Sequence, residues 1–300
     1  MEPWIPVTIA AAFFQNLRFM LQKHLKATAL STAGATFARF VYAAPALGLI
    51  LLGVAALQET PLPRPGAAFW PYAIVGGLAQ IAATMCVVAL FTHRNFAVGI
   101  TFKKTEVLMA VIVGVIVLGE GVSTLGFVAI LLGLVGVLIL SDPPEGGGTW
   151  HRRILNRAAG LGLASGILFA ISGVSYRGAS LSLGEGQAVL RALVTLFCVT
   201  TFQSLAMALW LRVREPGEVQ RVLIHWRVAG LVGLFSLLGS AAWFIAFTLQ
   251  TVAYVKALGQ IELVFSILAS TLWFRERITL REGWGVALLT LSILLLILAL

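Results

Sequence analysis

Residues 101–120 read TFKKTEVLMAVIVGVIVLGE. Thirteen apolar or glycine residues, Val107 to Gly119, separate Glu106 from Glu120. With the apolar residues ahead of it, this run is long enough to cross a bilayer. Yet Lys103, Lys104 and Glu106 stand near its front, where ionised groups cost several kcal/mol each. Either these side chains escape to the membrane surface, or the span faces something wet.

The whole chain is built like this stretch. Of its 300 residues 59% are hydrophobic and only 11% charged, with a mean hydropathy of +0.97. A soluble domain of this length carries about 25% charged residues, and burial in lipid accounts for the deficit. The net charge is +9, but the basic residues sit at the ends of apolar runs without interleaved aromatics. That distribution argues against a nucleic-acid partner. Cys86 and Cys198 lie far apart inside apolar segments, so neither a disulfide framework nor a metal site is expected. Met1 to Pro6 lacks the basic start of a cleavable signal, and the first apolar segment is expected to be retained.

Membrane-length windows recur along the chain between Pro/Gly-rich or polar breaks such as ETPLPRPG (59–66) and SDPPEGGG (141–148). They predict ten spans, at 5–23, 34–57, 70–92, 96–118, 124–140, 158–180, 187–211, 228–249, 252–273 and 281–299. An all-α membrane bundle follows, because backbone in lipid must satisfy its own hydrogen bonds. Odd-numbered connections hold thirteen Lys or Arg residues, from Lys23 and Lys26 to Arg277 and Arg281. The others hold Arg64 and Arg177. By the positive-inside rule the odd loops are cytoplasmic and both termini lie on the opposite side, which predicts a multi-pass membrane protein.

A shift of 156 lays the chain on itself. Ala97 falls on Ala253, Glu106 on Glu262 and Glu120 on Glu276, and Arg39-Phe40 roughly matches Arg191-Ala192. Residues 1–145 and 146–300 then form two five-helix units. An odd number of spans per unit makes the copies inverted, and the loop charges follow membrane side rather than repeat position. Inverted repeats of this kind place a substrate site at mid-membrane.

The GE pair at Gly119-Glu120, RERI at 275–278 and the stretch AYVKALGQIELVFSILASTLWFRERI (253–278) carry a family likeness, to which Arg39-Phe40 adds. The chain resembles the drug/metabolite transporter superfamily, and within it the EamA family of bacterial ten-helix carriers. The resemblance covers nearly the whole chain. It implies a central cavity lined mainly by helices 1, 3, 4, 6, 8 and 9, with helices 5 and 10 peripheral. Such proteins often carry Pro just after the positions of Glu106 and Glu262, where this chain has Val107 and Leu263. A proline-induced break there lacks support.

Two readings compete for the opening stretch. Lys103 and Lys104 lie about 10–15 Å deep at 1.5 Å per residue, from which lysines can snorkel, and Lys103 can pair with Glu106 at i,i+3. Glu106 reaches water less easily and recurs as Glu262, which favours a cavity. Opposite Lys103 and Lys104 the repeat puts Gly259 and Gln260, leaving room beside a long cation. The candidate substrate-contacting set is Lys103, Lys104, Glu106, Trp243, Tyr254, Lys256, Gln260 and Glu262. Within the spans Arg18, Arg39, Lys103, Lys104, Arg191 and Lys256 outnumber Glu106 and Glu262, so an anionic solute is a natural partner. Arg39, Arg191, Glu120 and Glu276 read as structural ionic residues. Ser123-Thr124 and Thr279 read as N-caps of the last helix in each half. Seven tryptophans near span ends, Trp4, Trp70, Trp150, Trp210, Trp226, Trp273 and Trp284, fit an aromatic belt, and Trp243 lies mid-span.

No phosphate-binding G-x-x-x-x-G-K-[ST] loop occurs, so nucleotide hydrolysis is unsupported. The leading expectation is a monomeric secondary carrier. It exports a small metabolite, an amino acid or other organic acid, with a proton or other gradient as energy source and no cofactor. A flippase or carrier for a lipid-linked or amphipathic substrate is the alternative, and its cavity would open sideways to lipid. An enzyme needs a convergent acid, base or metal set. The lone aspartate, Asp142, sits in a loop and the four histidines at or outside span ends, so neither catalytic nor metal-binding residues are assigned.

Overall fold

A computed structural model describes residues 2–58, 62–90, 102–141, 157–184, 186–265 and 280–299. Every regular element among them is a helix: α1 (Trp4–Thr28), α2 (Thr32–Val41), α3 (Ala43–Gln58), α4 (Phe69–Leu90), α5 (Glu106–Leu118), α6 (Thr124–Ser141), α7 (Arg157–Leu181), α8 (Ala188–Arg214), α9 (Glu218–Ile224), α10 (Trp226–Leu249), α11 (Val252–Gly259) and α12 (Leu280–Leu298). Six stretches are long and apolar enough to cross a membrane: α1, 32–57, α4, α7, α8 and α10. The apolar helices at 106–118, 124–139 and 283–298 are shorter. The expected features of residues 91–101, 142–156 and 266–279, among them His93, Asp142, Glu276 and RERI, lie outside the described residues.

The polarity of the bundle is inverted relative to a soluble protein. Leu131, Val135, Leu205 and Leu209 face outward, while Arg18, Arg39, Lys103, Lys104 and Lys256 are buried. Lipid satisfies the first set, and the second must be satisfied by protein or solute.

Local chemistry explains where helices bend and stop. The predicted second span is bent, α2 ending at Val41 and α3 beginning at Ala43. Pro45 has no N–H for the Val41 carbonyl, and its ring crowds that oxygen. Ser31 caps α2, its Oγ accepting from the Gly34 N–H at 2.9 Å. Ser123 does the same for α6 through Gly126, at 3.1 Å. Gly119 takes φ 68° and closes α5, a conformation costly for any residue with a Cβ. The short α9, in a connection read from sequence only as a break at REPGE, starts after Gly217 at φ 88°. Its Glu218 is buried and accepts from the Ser31 N–H at 2.6 Å.

Helix contacts come in matching pairs. α1 lies on α10, and α7 on α4. α5 packs on α7, and α11 on α1. α6 and α12 pack on each other at one side. Among the tryptophans, Trp70, Trp210, Trp226 and Trp284 are exposed, as a membrane-interface belt requires. Trp4 departs from that expectation: it is buried in the main apolar core with Ile5 and Ala11, because α1 docks along its length against α10.

Candidate functional site

Two interrupted helices build the centre. Residues 102–103 are helical, the chain turns at Lys104-Thr105, and α5 starts at Glu106. In the second half α11 ends at Gly259, the chain turns at Gln260-Ile261, and residues 262–265 are helical again. The turns stand 156 residues apart (260 minus 104) and share their hydrogen bonds. Thr105 N–H donates to Phe102 O at 3.2 Å and Met109 N–H to Thr105 O at 3.1 Å. Ile261 N–H donates to Leu258 O at 3.0 Å and Phe265 N–H to Ile261 O at 3.2 Å. No proline is involved. The hydroxyl of Thr105 donates to Phe102 O at 2.7 Å, and Gln260 Nε2 to Lys256 O at 3.2 Å. Such side chains offer the backbone a local alternative to the helical ladder. Gly166 of α7 lets the helices close up here, since a Cβ on it would stand 2.9 Å from the Lys103 carbonyl.

Each break exposes a fresh helix N-terminus, and a glutamate follows it. Negative charge is favoured there by the unpaired N–H groups and the helix dipole. The two carboxylates have different partners. Glu262 is ion-paired and hydrogen-bonded to Lys104, which crosses from the other half. Its Oε2 accepts from Gln15 Nε2 at 3.2 Å, and Asn16 Nδ2 reaches its carbonyl at 3.4 Å. Glu106 is held more loosely, with Lys103 Nζ at 3.6 Å and Lys256 Nζ at 3.8 Å. Its Oε2 is buried without a hydrogen-bond donor among the described residues.

Aromatic rings surround the cations. Lys256 Nζ lies 4.6 Å from the Trp243 ring centre and 5.6 Å from those of Phe169 and Phe247. Lys103 Nζ stands 5.3 Å from the Phe169 ring. Attraction to the ring faces compensates part of the lost hydration. Trp243 Nε1 donates to Gln15 Oε1 at 3.2 Å, so Trp243, Gln15 and Glu262 form one chain of contacts.

Next to this cluster is a cavity of about 20 Å³, room for about one water. Its wall combines Arg39, Lys256, Gln15, Gln80, Ser172 and Ser240 with Tyr176, Phe169, Trp243, Phe244 and Phe247. Two cations and no carboxylate line it among the described residues. Arg39 donates Nη1 to Thr84 Oγ1 at 2.9 Å and Nη2 to Ser240 Oγ at 3.4 Å. A smaller cavity, about 10 Å³, lies between Lys104, Gln260, Val107 and α6.

The structure therefore brings Lys103, Lys104, Glu106, Trp243, Lys256 and Glu262 together. Gln260 stands at the edge, facing the smaller cavity. Tyr254 does not join them: its hydroxyl meets the Ser123 N–H at 3.0 Å and Oγ at 3.1 Å, at the start of α6. The expected room beside Gly259 is filled, because a Cβ there would meet Trp243 at 2.6 Å.

Comparison with known proteins settles the class. The model of the EamA-like transporter family matches residues 2–142 and again residues 156–298. The chain belongs to the EamA-like transporter family. It is accordingly a multi-pass membrane protein of a transporter family, not of an enzyme family. A solved crystal structure superposes with a TM-score of 0.72 at 15% identity, covering 99% of this chain and 96% of that one. That is a likeness of fold alone. No curated protein matches the sequence.

Other polar residues of this EamA-like transporter sort by their partners. Arg39 is deep, whereas Arg191 sits near the start of α8 and donates Nη1 to Gly184 O at 2.8 Å. Counted from the N-caps Ser31 and Gln187, the position matching Arg39 is Thr195. Glu120 pairs with Arg177 at 2.7 Å. Arg177 also donates to the carbonyls of Phe247 at 2.6 Å and Gln250 at 2.9 Å, closing the end of α10. Sequence reasoning missed a further knot: Gln203 Nε2 reaches Gln80 Oε1 at 3.0 Å and Tyr176 Oη at 3.2 Å. Gln80 and Gln203 are polar residues inside apolar spans, and that was the available signal.

Proposed function

We propose that this chain is a secondary active carrier for a small carboxylate-bearing metabolite, an amino acid or another organic acid, exported across the bacterial inner membrane. One observation carries the reading. Around the two helix breaks five cations are buried, Arg18, Arg39, Lys103, Lys104 and Lys256, against two carboxylates, Glu106 and Glu262. Among the described residues, five minus two leaves three positive charges without a carboxylate counter-charge, and an uncompensated buried charge costs several kcal/mol. An anionic solute beside Arg39 and Lys256 relieves that cost. The aromatic wall supplies apolar contact for the rest of such a molecule.

Ten spans in two inverted halves, 1–145 and 146–300, are the architecture this reading uses. The matched breaks at Lys104-Thr105 and Gln260-Ile261 and the paired helix contacts support it, since discontinuous helices at a repeat interface are where carriers bind solute. Both termini are then periplasmic, and a monomer suffices, because one chain supplies both halves. The present cavity is too small for an organic acid, so binding requires α1, α4, α7 and α10 to separate. Protonation of Glu106 as the cavity dries would couple that motion to a proton gradient.

Counterflow in proteoliposomes tests the proposal. Labelled serine, lactate and succinate should exchange against the same unlabelled solute, while choline should not. Exchange of choline without the carboxylates would overturn the substrate class, and exchange of none would remove the carrier assignment for small organic acids.

A further inference from the structure

One face of α1 carries a polar track, with Gln15, Arg18 and Gln22 at i, i+3 and i+7. The two glutamines have structural duties. Gln15 links Trp243 to Glu262, and Gln22 donates Nε2 to Ala35 O at 2.9 Å, tying α1 to α2. Arg18 between them has no comparable bond. It is 3% exposed. Its guanidinium lies 4.3 Å from the Phe19 ring centre, and its Nη1 is buried without an acceptor among the described residues. Gln22 Oε1, one turn along, is buried and lacks a donor. A guanidinium has five N–H donors and accepts nothing, so only an acceptor can complete it. Glu262 attracts the guanidinium electrostatically but makes no hydrogen bond to Nη1, and its two oxygens already meet Lys104 and Gln15. Arg18 is also absent from the wall of the central cavity.

We propose that Arg18 and Gln22 form a second anion station, distinct from the Arg39–Lys256 cavity. It holds the solute's carboxylate on the path between that cavity and the end of the bundle bearing Lys23 and Lys26. This rests on the carboxylate reading above. The ligand class is a small carboxylate with a neighbouring hydroxyl or ammonium group. Its carboxylate oxygen accepts from Arg18 Nη1, and its donor group satisfies Gln22 Oε1. Phe19 supplies a flat apolar floor, and the lysines beyond draw anions toward this end.

The test uses the purified full chain in detergent, with lactate as probe, propionate as the analogue lacking the donor, and choline as the cation control. Isothermal titration of the wild type with lactate should give two binding events. Arg18→Gln should remove one of them, weakening it by roughly tenfold to a hundredfold, as loss of a charged hydrogen bond does. Arg39→Gln should remove the other. Without ligand, Arg18→Gln should melt no lower than wild type, because the change deletes an unpartnered charge rather than a bond. Gln22→Leu should abolish the preference for lactate over propionate at the same event, which keeps the proposal testable if Arg18→Gln fails to fold. Two unchanged events in Arg18→Gln, or an unchanged lactate preference in Gln22→Leu, would overturn the station. A single wild-type event, lost only in Arg39→Gln, would overturn it and leave the carrier reading intact. Absence of any carboxylate binding to the wild type removes both.

Discussion

Thr84 and Ser240 stand 156 residues apart (240 minus 84), the same offset that relates Glu106 to Glu262, and one guanidinium holds both. Arg39 donates to Thr84 Oγ1 at 2.9 Å and to Ser240 Oγ at 3.4 Å. A single residue of the first matched segment thus bridges α4 and α10 at two positions related by that offset.

The two bonds differ in length, and their loss should differ in cost. Thr84→Val leaves a buried guanidinium N–H without its acceptor, a penalty of about 1–3 kcal/mol. Ser240→Ala gives up only a long contact and should cost less. Thermal unfolding in detergent checks the order. A Ser240→Ala variant melting below Thr84→Val would show that the ranking by geometry is wrong.

The paired glutamates should respond unequally to replacement. Lys104→Ala takes the ammonium partner from buried Glu262, and breaking a buried pair costs roughly 3–5 kcal/mol. Gln15, which keeps donating to the carboxylate, moderates that figure. The double change Lys104→Met with Glu262→Met should recover most of the loss. Glu106 is gripped only at 3.6 and 3.8 Å, and its Oε2 has no hydrogen-bond donor among the described residues. Glu106→Gln should therefore fold normally and still exchange solute, yet lose any acceleration by a pH gradient. Equal gradient response in Glu106→Gln and wild-type proteoliposomes would exclude Glu106 as the proton carrier.

Arg177 latches the end of the bundle opposite Lys23 and Lys26. It joins Glu120 after α5 to the last carbonyls of α10, so its removal should favour opening at that end. In a chain lacking Cys86 and Cys198, a cysteine replacing Ser172 on the cavity wall reports access. Arg177→Ala should raise its labelling by a small thiol reagent roughly tenfold for every ~1.4 kcal/mol of bias toward the open state. Unchanged labelling would mean that the latch does not gate the cavity.

Much of this was legible in the sequence because lipid imposes a simple rule. Apolar runs of membrane length, their breaks and the offset between Glu106 and Glu262 are one-dimensional signals, and the 228–249 and 252–273 boundary read at Gln250-Thr251 recurs between α10 and α11. The bend at Tyr42 was written in Pro45. Three-dimensional choices were not readable. Lys104 could have paired with Glu106 two residues away, yet it reaches Glu262 in the other half, because the turn at Lys104-Thr105 redirects it. Tyr254 is two residues from Lys256, the cation over Trp243, but points to Ser123, since α11 presents its opposite face to α6. Arg39 and Arg191 looked alike as residues in apolar runs, and only the caps at Ser31 and Gln187 set their different depths. The length of its apolar runs determined that this chain lies in a membrane as a helical bundle. Which buried cations meet carboxylates, and which are left to a solute, was decided by how the broken helices pack, because ion pairing depends on distances of a few ångströms between segments remote in sequence.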